Sequence, residues 1–288
     1  MNDYFELVQR AADLIDEGKS LPFGGVAPLP APEISPDAPV ALIFSPHPDD
    51  ECIIGGLPLR WMRSHGWRVI NVAVTQGSNP DRQSARWAEL EGACRYLGFE
   101  LIETIPNGLE KVNLKTRDTD PDHWNSGVKV IADILSRYAP RAILFPHDDD
   151  WNSTHIGVHW MVLDALRSLG NDFQTHAVET EFWGAMASPN LTVESSFEEL
   201  GQLLTALSFH EGEVRRNPYH LLTPAWMQDN VRRGGELVGG QGEAAPTFRF
   251  ATLYRHRVWR HGAFAEIHDK GRMLASTEDA AALFGGLE

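Results

Sequence analysis

The sequence has few of the residues that characterise several large classes of protein. It contains two cysteines, Cys52 and Cys94, in 288 residues, which argues against a disulfide framework and favours a reducing, cytoplasmic setting. Lysine and arginine number 25 against 40 acidic residues, a formal net charge of −15, so neither nucleic acid nor an anionic membrane is expected as a partner. No apolar run is long enough to span a bilayer, and no Gly-x-Gly-x-x-Gly follows the first predicted strand, so no dinucleotide is expected either.

The chain does contain an alternation of apolar runs and amphipathic segments. Buried strands are predicted from the apolar runs at 40–44, 67–75, 99–105 and 141–146. Amphipathic patterns between them, such as 128–138, predict helices. This alternation indicates an α/β protein with a Rossmann-like, mostly parallel sheet flanked by helices.

Two polar or glycine-rich stretches are predicted to be loops. Residues 107–125 are polar and are interpreted as a solvated connection. Residues 232–241 contain four glycines, and we expect a flexible loop there that could close over a site.

The N-terminal part of the chain differs from the rest. Residues 1–24 have apolar side chains at helical spacing and lack the basic start and apolar core of a signal peptide. The stretch that follows, to residue 39, is rich in Pro, Ala and Gly and predicts an extended linker. We therefore expect an N-terminal helix and linker over 1–38 and a single domain over 39–288. The helix is expected to serve packing or oligomerisation, so a homo-oligomer is left open.

A histidine and three acids follow the first buried strand, in Ser45-Pro46-His47-Pro48-Asp49-Asp50-Glu51. Open α/β sheets bind their ligands at such strand ends. His47 and Asp50 can both bind zinc if Pro48 holds the turn rigid, which leaves Asp49 free to act as a base on a water. The alternative is an acidic turn that caps the next helix.

A second junction of this kind follows the strand at 141–146. It runs from His147 to His159, and Asn152, Ser153 or Thr154 can cap the helix that begins there. His155 is the candidate third ligand, and His159 lies four residues later on the same helical face. The alternative is a histidine in the first turn of a helix without a metal. Three protein ligands with an open position are typical of catalytic zinc.

These motifs carry a resemblance. Pro46-His47-Pro48-Asp49-Asp50-Glu51 resembles the signature of the LmbE-like (PIG-L-like) zinc deacetylase family. Its members hydrolyse N-acetyl groups, mostly of amino sugars and their conjugates. Similarities continue in the Thr75-Gln76-Gly77 loop, in the helix from Arg86 to Gly98 and at His155, so that the resemblance spans about residues 40–162.

The resemblance implies a function and a set of residues. His47, Asp50 and His155 would bind Zn²⁺, or another divalent metal, and Asp49 would be the general base. Residues 39–288 would be an LmbE-like catalytic domain that removes an N-acetyl group from an amino sugar, such as an N-acetylglucosamine, or from a sugar conjugate. A water bound by the metal would attack the amide.

One departure from the family affects the acid–base assignment. The family's second motif usually reads His-Pro-Asp-His, where this chain has Asn152-Ser153-Thr154-His155. Asn152 replaces the histidine that helps to stabilise the oxyanion, and an amide can donate a hydrogen bond but cannot act as an acid. The proton for the leaving amine is therefore expected from Asp49, His159 or His210.

Other residues are expected to contact a small-molecule substrate. They are Arg86, Trp151 and His210, although Arg86 could instead pair with Glu89 on its own helix, and His210 could be a helix-end histidine. The activity also has alternatives: an amidase on another acyl group, a hydratase or lyase, or a non-catalytic sugar-binding protein. The last is disfavoured because binding a metal alone does not need the free carboxylate of Asp49.

Overall fold

A computed structural model of the protein describes residues 2–285 and 287. Its strands are, in chain order, β1 (Val40–Ser45), β2 (Arg68–Ala73), β3 (Glu100–Glu103), β4 (Ala142–Pro146), β5 (Thr175–Thr180), β6 (Leu191–Glu194), β7 (Ala251–Arg260), β8 (Ala263–Glu266) and β9 (Arg272–Leu274). Its α-helices are α1 (Asp3–Gly18), α2 (Leu57–His65), α3 (Pro80–Leu97), α4 (Leu114–Thr119), α5 (Pro121–Tyr138), α6 (Ser153–Ser168), α7 (Phe197–Leu207), α8 (Glu211–Val214) and α9 (Tyr219–Gly234).

The strands form one mixed sheet in the order β3-β2-β1-β4-β5-β7-β6-β9, with β8 paired to β7. The first five neighbours in this order are parallel to one another. Strand β7 then runs antiparallel to both β5 and β6. The prediction of a mostly parallel sheet flanked by helices is therefore confirmed.

The central strands are buried on both faces, which explains why their sequences are apolar without alternation. All residues of β1 and β4 are buried. In β1, Ala41 and Ile43 belong to a hydrophobic cluster with residues of α2, α3 and α7. Leu42 and Phe44 face the opposite way, into a cluster with residues of α5 and α6. Each face of the sheet is thus covered by its own helical layer.

The strand order changes direction between β1 and β4, and this places the candidate site. The two strands are parallel neighbours in the register Ile43↔Leu144. Their carboxyl ends open at the same edge of the sheet, and the connections that leave them diverge to opposite faces. This is the crevice in which open α/β sheets bind ligands, and both histidine-containing junctions begin there.

Two loop predictions are wrong. The stretch 107–125 contains α4 and the start of α5, whose first turns are capped by the side chains of Asn113 and Asp120. The expected flexible loop at 232–241 is instead the end of α9 followed by a π-helical turn, Gly235–Gly239. A Cβ on Gly234 would lie 2.6 Å from Thr192 Oγ1, so this glycine permits close packing.

The predicted N-terminal helix is present as α1, with Asn2 as its cap. None of its residues is buried, and large apolar side chains such as Tyr4, Phe5 and Val8 are at least 65% exposed. The division into residues 1–38 and 39–288 stays a prediction. Within residues 2–285 and 287, no helix combines the length and the apolar character needed to cross a membrane.

Candidate metal centre and catalytic pocket

The two junctions bring His47, Asp50 and His155 together at the sheet edge. Their ligand atoms all lie within 4.8 Å of one another. His47 Nδ1 is 3.2 Å from His155 Nε2, and Asp50 Oδ2 is 3.5 Å from the former and 3.4 Å from the latter. His47 and Asp50, from the loop that follows β1, thus meet His155 from the first turn of α6.

These distances fit a tetrahedral metal. Two ligands bonded to zinc at about 2.0–2.1 Å in a tetrahedral arrangement lie about 3.3 Å apart, which is close to each of the three measured separations. The donor set of two imidazoles and one carboxylate suits zinc and other borderline divalent ions. In addition, Asp50 Oδ1 is buried without a hydrogen-bond partner, which is costly for a carboxylate unless a cation lies nearby. The residues therefore fit the metal that the sequence motifs imply.

The pKa shifts of Asp50 and His155 also favour a positive charge at this site. Burial would raise the pKa of Asp50, but His155 and His47 hold it below its usual range. For His155, burial would lower the pKa, yet Asp50 and Asp150 raise it to about 9. The pocket thus stabilises a positive charge between these side chains, and a divalent cation can replace the proton.

Asp49 lies beside this trio but is not part of it. Its backbone has φ 112°, in the left-handed region that a residue with a Cβ rarely adopts, and such strain is often found at functional sites. The Asp49 N–H donates to Glu51 Oε2 at 3.0 Å. Burial, together with the neighbouring Asp50 charge, raises the pKa of Asp49 to about 7. A carboxylate with that pKa can both accept and release a proton near neutral pH.

Tyr219, at the start of α9, holds the Asp49 side chain. Its hydroxyl donates a hydrogen bond to Asp49 Oδ2 at 2.7 Å. The ring packs edge-on against Trp183, with ring centroids 4.9 Å apart. Tyr219 was not predicted from the sequence, because no recognisable motif surrounds it and it lies 170 residues from Asp49 in the chain.

Asp150 positions His155. Its Oδ2 lies 3.3 Å from His155 Nδ1, a short contact that is poorly aligned for a hydrogen bond. The same oxygen accepts the N–H groups of Trp183 and Gly184, each at 3.2 Å, and Oδ1 accepts the N–H of Asn152 at 2.8 Å. A carboxylate behind the ring nitrogen is the usual way to fix a metal-binding histidine. Asp150 belongs to the second junction, but the sequence pattern predicts no role for it.

His210 lies behind the site rather than in the pocket. It is fully buried, and its Nε2 contacts Glu51 Oε1 at 2.7 Å. Burial lowers its pKa, but the Glu51 charge more than compensates and raises it. The ring is not part of the cavity lining, so the structure places it away from the space open to a substrate. His210 instead supports Glu51, which in turn holds the Asp49 peptide.

His159 is also directed away from the pocket. Its Nδ1 lies 2.9 Å from the carbonyl oxygen of Pro146 and 3.4 Å from Glu179 Oε1. The ring packs against Phe145 and Trp160, and it is not among the pocket-lining residues. Although it follows His155 by one helical turn, His159 cannot reach a substrate at the trio without rearrangement.

A cavity of about 950 Å³ opens in front of His47 and Asp49. Asn152 and Trp151 line it, and their roles as oxyanion donor and substrate contact stay predictions. Asn152 caps α6 by accepting the Thr154 N–H on Oδ1, which leaves its NH₂ group available as a donor. Trp151 is 72% exposed, so its indole face is open to a ligand.

Arg86 also lines the cavity. Its Nη2 donates to the carbonyl oxygen of Pro48 at 2.9 Å and lies 3.8 Å from Asp49 Oδ2. The alternative pair with Glu89 is not formed, because Glu89 accepts the N–H of Gly212 instead. Arg86 thus braces the first motif from α3 and faces the pocket.

Residues 42–166 match the family model described as PIG-L, GlcNAc-PI de-N-acetylase. The match extends over these residues only, and it confirms the predicted resemblance to the PIG-L (LmbE-like) family there. No curated protein sequence matches the chain significantly.

Solved structures share the fold at low sequence identity. N,N'-diacetylchitobiose deacetylase from Pyrococcus horikoshii is 16% identical, with a TM-score of 0.55 over 78% of this chain and 85% of that chain. The zinc-inhibited form of teicoplanin deacetylase Orf2 is also 16% identical, with a TM-score of 0.54 over 77% and 98%. GalB, the 4-carboxy-2-hydroxymuconate hydratase from Pseudomonas putida KT2440, is 14% identical, with a TM-score of 0.56 over 81% and 99%. At these identities the likeness establishes the fold.

Proposed function

We propose that the protein is a metal-dependent hydrolase that removes an N-acetyl group from an amino sugar or a sugar conjugate. The observation that carries this proposal is the trio of His47, Asp50 and His155 at tetrahedral spacing, with the buried carboxylate of Asp49 beside it but outside it. The match of residues 42–166 to a de-N-acetylase family supports the same reaction. So do the deacetylases among the proteins that share the fold.

Each of the neighbouring residues has a step in the proposed reaction. Zinc held by His47, Asp50 and His155 would polarise the acetamide carbonyl and acidify a water. Asp49, oriented by Tyr219, accepts the proton of that water as its oxygen attacks the carbonyl carbon. The carbon–oxygen bond forms while the carbonyl π electrons move to the oxygen.

The second half of the reaction uses the same residues. The Asn152 NH₂ group donates to the oxyanion, which compensates in part for the absent histidine. Asp49 then delivers its proton to the nitrogen as the carbon–nitrogen bond breaks, giving acetate and a free amine. We assign this proton to Asp49 because a pKa near 7 permits both transfers, whereas His159 and His210 lie outside the cavity.

The substrate side of the cavity is proposed to hold the sugar. Trp151 presents an exposed aromatic face at the rim, which suits the apolar face of a pyranose ring. Arg86 offers donors to ring hydroxyl groups. The two cysteines, both buried and unpaired, support a reducing compartment such as the cytoplasm.

The test combines metal analysis with an assay of acetate. The purified protein is loaded with Zn²⁺, Co²⁺ or Mn²⁺ and incubated with N-acetylated sugars and sugar conjugates, because a zinc-inhibited form is known for one protein with this fold. We expect about one metal per chain and acetate from at least one substrate. Asp49→Asn should keep its metal and lose at least about 100-fold in kcat. Asp49→Asn with wild-type kcat would refute the mechanism.

Hydration of a carbon–carbon double bond is the second candidate. GalB shares the fold and is named as a hydratase, and the basic groups in the cavity would suit a carboxylated substrate. A hydratase releases no acetate and consumes an absorbing conjugated substrate. The two candidates are therefore separated by the same purified protein in two assays.

A further inference from the structure

One wall of the cavity is more basic than the rest of the protein. The chain as a whole has 25 basic and 40 acidic residues. The lining of the cavity reverses this proportion: it contains the basic residues Arg82, Arg86, Lys111 and Arg216, and the acidic residues Asp49, Glu110 and Glu213. The cavity lining thus carries four basic residues against three acidic ones, in a chain whose net charge is −15.

Three arginines of this wall converge on a single carboxylate. Arg82 and Arg216 both form ion pairs with Glu213, and Arg86 Nε lies 3.7 Å from the same side chain. Glu213 is buried, with 6% of its side chain exposed. Burial would raise its pKa, but Arg216, Arg86 and Arg82 lower it. Glu213 therefore stays ionised and fixes the three guanidinium groups in one place.

A structural ion pair does not need three arginines. Arg86 also faces Asp49 at 3.8 Å, so three guanidinium groups meet two carboxylates, one of which, Asp49, is proposed to become neutral during the reaction. The guanidinium groups repel one another, and such an arrangement is most stable when an anion supplies the missing charge. Arg86 Nε is buried without a hydrogen-bond partner, so one donor of the cluster is unused.

Helices α3 and α8 bring the three arginines together close to the reaction centre. Arg82 and Arg86 are four residues apart and share one face of α3. Arg216 follows α8 and pairs with the other carboxylate oxygen of Glu213. Gly77 leaves room for this arrangement, because a Cβ there would overlap Nη1 of Arg86. Since Arg86 also contacts the Asp49 loop and lies 3.8 Å from the Asp49 carboxylate, an anion bound by the cluster would lie near the reaction centre.

We propose that Arg82, Arg86 and Arg216 form an anion subsite, which selects N-acetylated sugars that carry a phosphate or carboxylate group near the acetamide. The inference rests on the proposed deacetylase function and names its substrate class. The planar guanidinium fork binds both kinds of oxyanion in pairs of hydrogen bonds, so the shared chemistry is an oxyanion, and the test separates the two sources.

The test compares substrates that differ in charge, using the metal-loaded full-length protein. N-acetylglucosamine is the neutral reference, N-acetylglucosamine 6-phosphate carries the phosphate, and N-acetylmuramic acid carries the carboxylate. We expect kcat/KM for acetate release to be at least about tenfold higher for one or both charged sugars. The preferred arm identifies the oxyanion. Salt at 0.5 M should reduce the preference, because the outer part of the cluster is exposed.

Two variants connect that preference to the arginines. In Arg216→Gln and in Arg82→Gln, the ratio of charged to neutral kcat/KM should fall about tenfold. Arg232→Gln is the matched control: like Arg216, Arg232 is largely exposed, at 61%, and pairs with an acid three residues earlier. It lies outside the cavity lining, so its ratio should stay at the wild-type value. Thermal melting of each variant verifies that the fold is retained.

The outcomes distinguish this inference from the function on which it rests. Equal kcat/KM for neutral and charged sugars would overturn the anion subsite and leave the deacetylase standing. A charge preference that survives in Arg216→Gln and Arg82→Gln would also overturn it. If neither neutral nor charged sugars release acetate, the proposed function fails and the subsite inference fails with it.

Discussion

Replacing Asp150 by asparagine should weaken metal binding without removing any metal ligand. The Asp150 carboxylate accepts three backbone N–H groups and contacts His155 Nδ1 at 3.3 Å. An asparagine side chain has one acceptor oxygen. Whichever way the amide is turned, its NH₂ group therefore faces either Asn152 N–H or the pair from Trp183 and Gly184.

The magnitude follows from what His155 loses. With the carboxylate gone, its ring is no longer held in one orientation by a negative charge behind Nδ1, and Nε2 becomes a weaker ligand. Loss of such a supporting carboxylate typically reduces metal affinity about 10- to 100-fold, which corresponds to about 1.4 to 2.7 kcal/mol. The buried N–H groups that lose their acceptor should also cost about 1–3 kcal/mol of unfolding free energy.

The measurement is a titration of metal-free protein with Zn²⁺ in competition with a chelating indicator. Asp149→Asn is the matched control, since Asp149 is the neighbouring residue, carries the same charge and is exposed. It should bind zinc with the wild-type Kd. If Asp150→Asn also kept the wild-type Kd, the idea that Asp150 orients His155 would have to be abandoned, whatever its effect on stability.

Two further predictions concern Tyr219, which contacts Asp49, and a row of three histidines elsewhere in the structure. Tyr219→Phe removes the hydrogen bond to Asp49 Oδ2. Loss of one charge-assisted hydrogen bond should lower kcat by roughly 10- to 100-fold and leave the metal content unchanged. An unchanged kcat would contradict the role given to Tyr219. His176, His256 and His268 form a row of ring-to-ring contacts at 3.0 and 3.2 Å, and burial lowers the pKa of each. Below about pH 6.5 these histidines take up protons in the unfolded chain, whereas the buried rings of the folded protein stay neutral. The free energy of unfolding should therefore fall as the pH drops below that value. For the fully buried His256 the decrease should reach up to about 1.4 kcal/mol per pH unit. Urea unfolding between pH 7.5 and 5 should show a shallower pH dependence for His256→Leu, and an identical dependence in both proteins would refute the assignment.

The sequence predicted that His47, Asp50 and His155 come together because its signals are local. A strand that is apolar at every position must be buried on both faces, and His47 and His155 follow two such strands. Parallel neighbouring strands end at the same edge, so the approach of the two junctions follows from the topology. The pattern of residue types is therefore enough to select the three candidate ligands.

Contacts between distant segments could not be predicted in this way. Glu213 lies in α8 and Tyr219 begins α9. Both are far along the chain from Asp49 and Arg86, and neither has a neighbouring motif. His159 shows the limit of helical spacing as a guide: it follows His155 on the same face, yet one turn along a helix is about 5.4 Å. That displacement moved its ring to the Pro146 carbonyl and out of the cavity.

The mispredicted loops have a related cause. The stretch 107–125 is polar because Asn113 and Asp120 cap two helices whose first turns face solvent. Glycines near residue 234 indicated flexibility, although close packing against Thr192 also requires a residue without a Cβ. Composition alone does not distinguish a glycine needed for conformational freedom from one needed for space.

The side chains around Asp49 come from two different parts of the chain. The three candidate ligands lie within residues 42–166, which match the family, whereas Tyr219 and the His210 that holds Glu51 come from beyond that segment. The candidate ligands, Arg82 and Arg86 thus come from the first part of the chain, whereas Arg216 and Tyr219 come from the later part, and the two parts meet around Asp49 and Glu213. A replacement of the later segment would therefore change one arginine of the proposed anion subsite, and it would have to keep a hydroxyl that donates to Asp49.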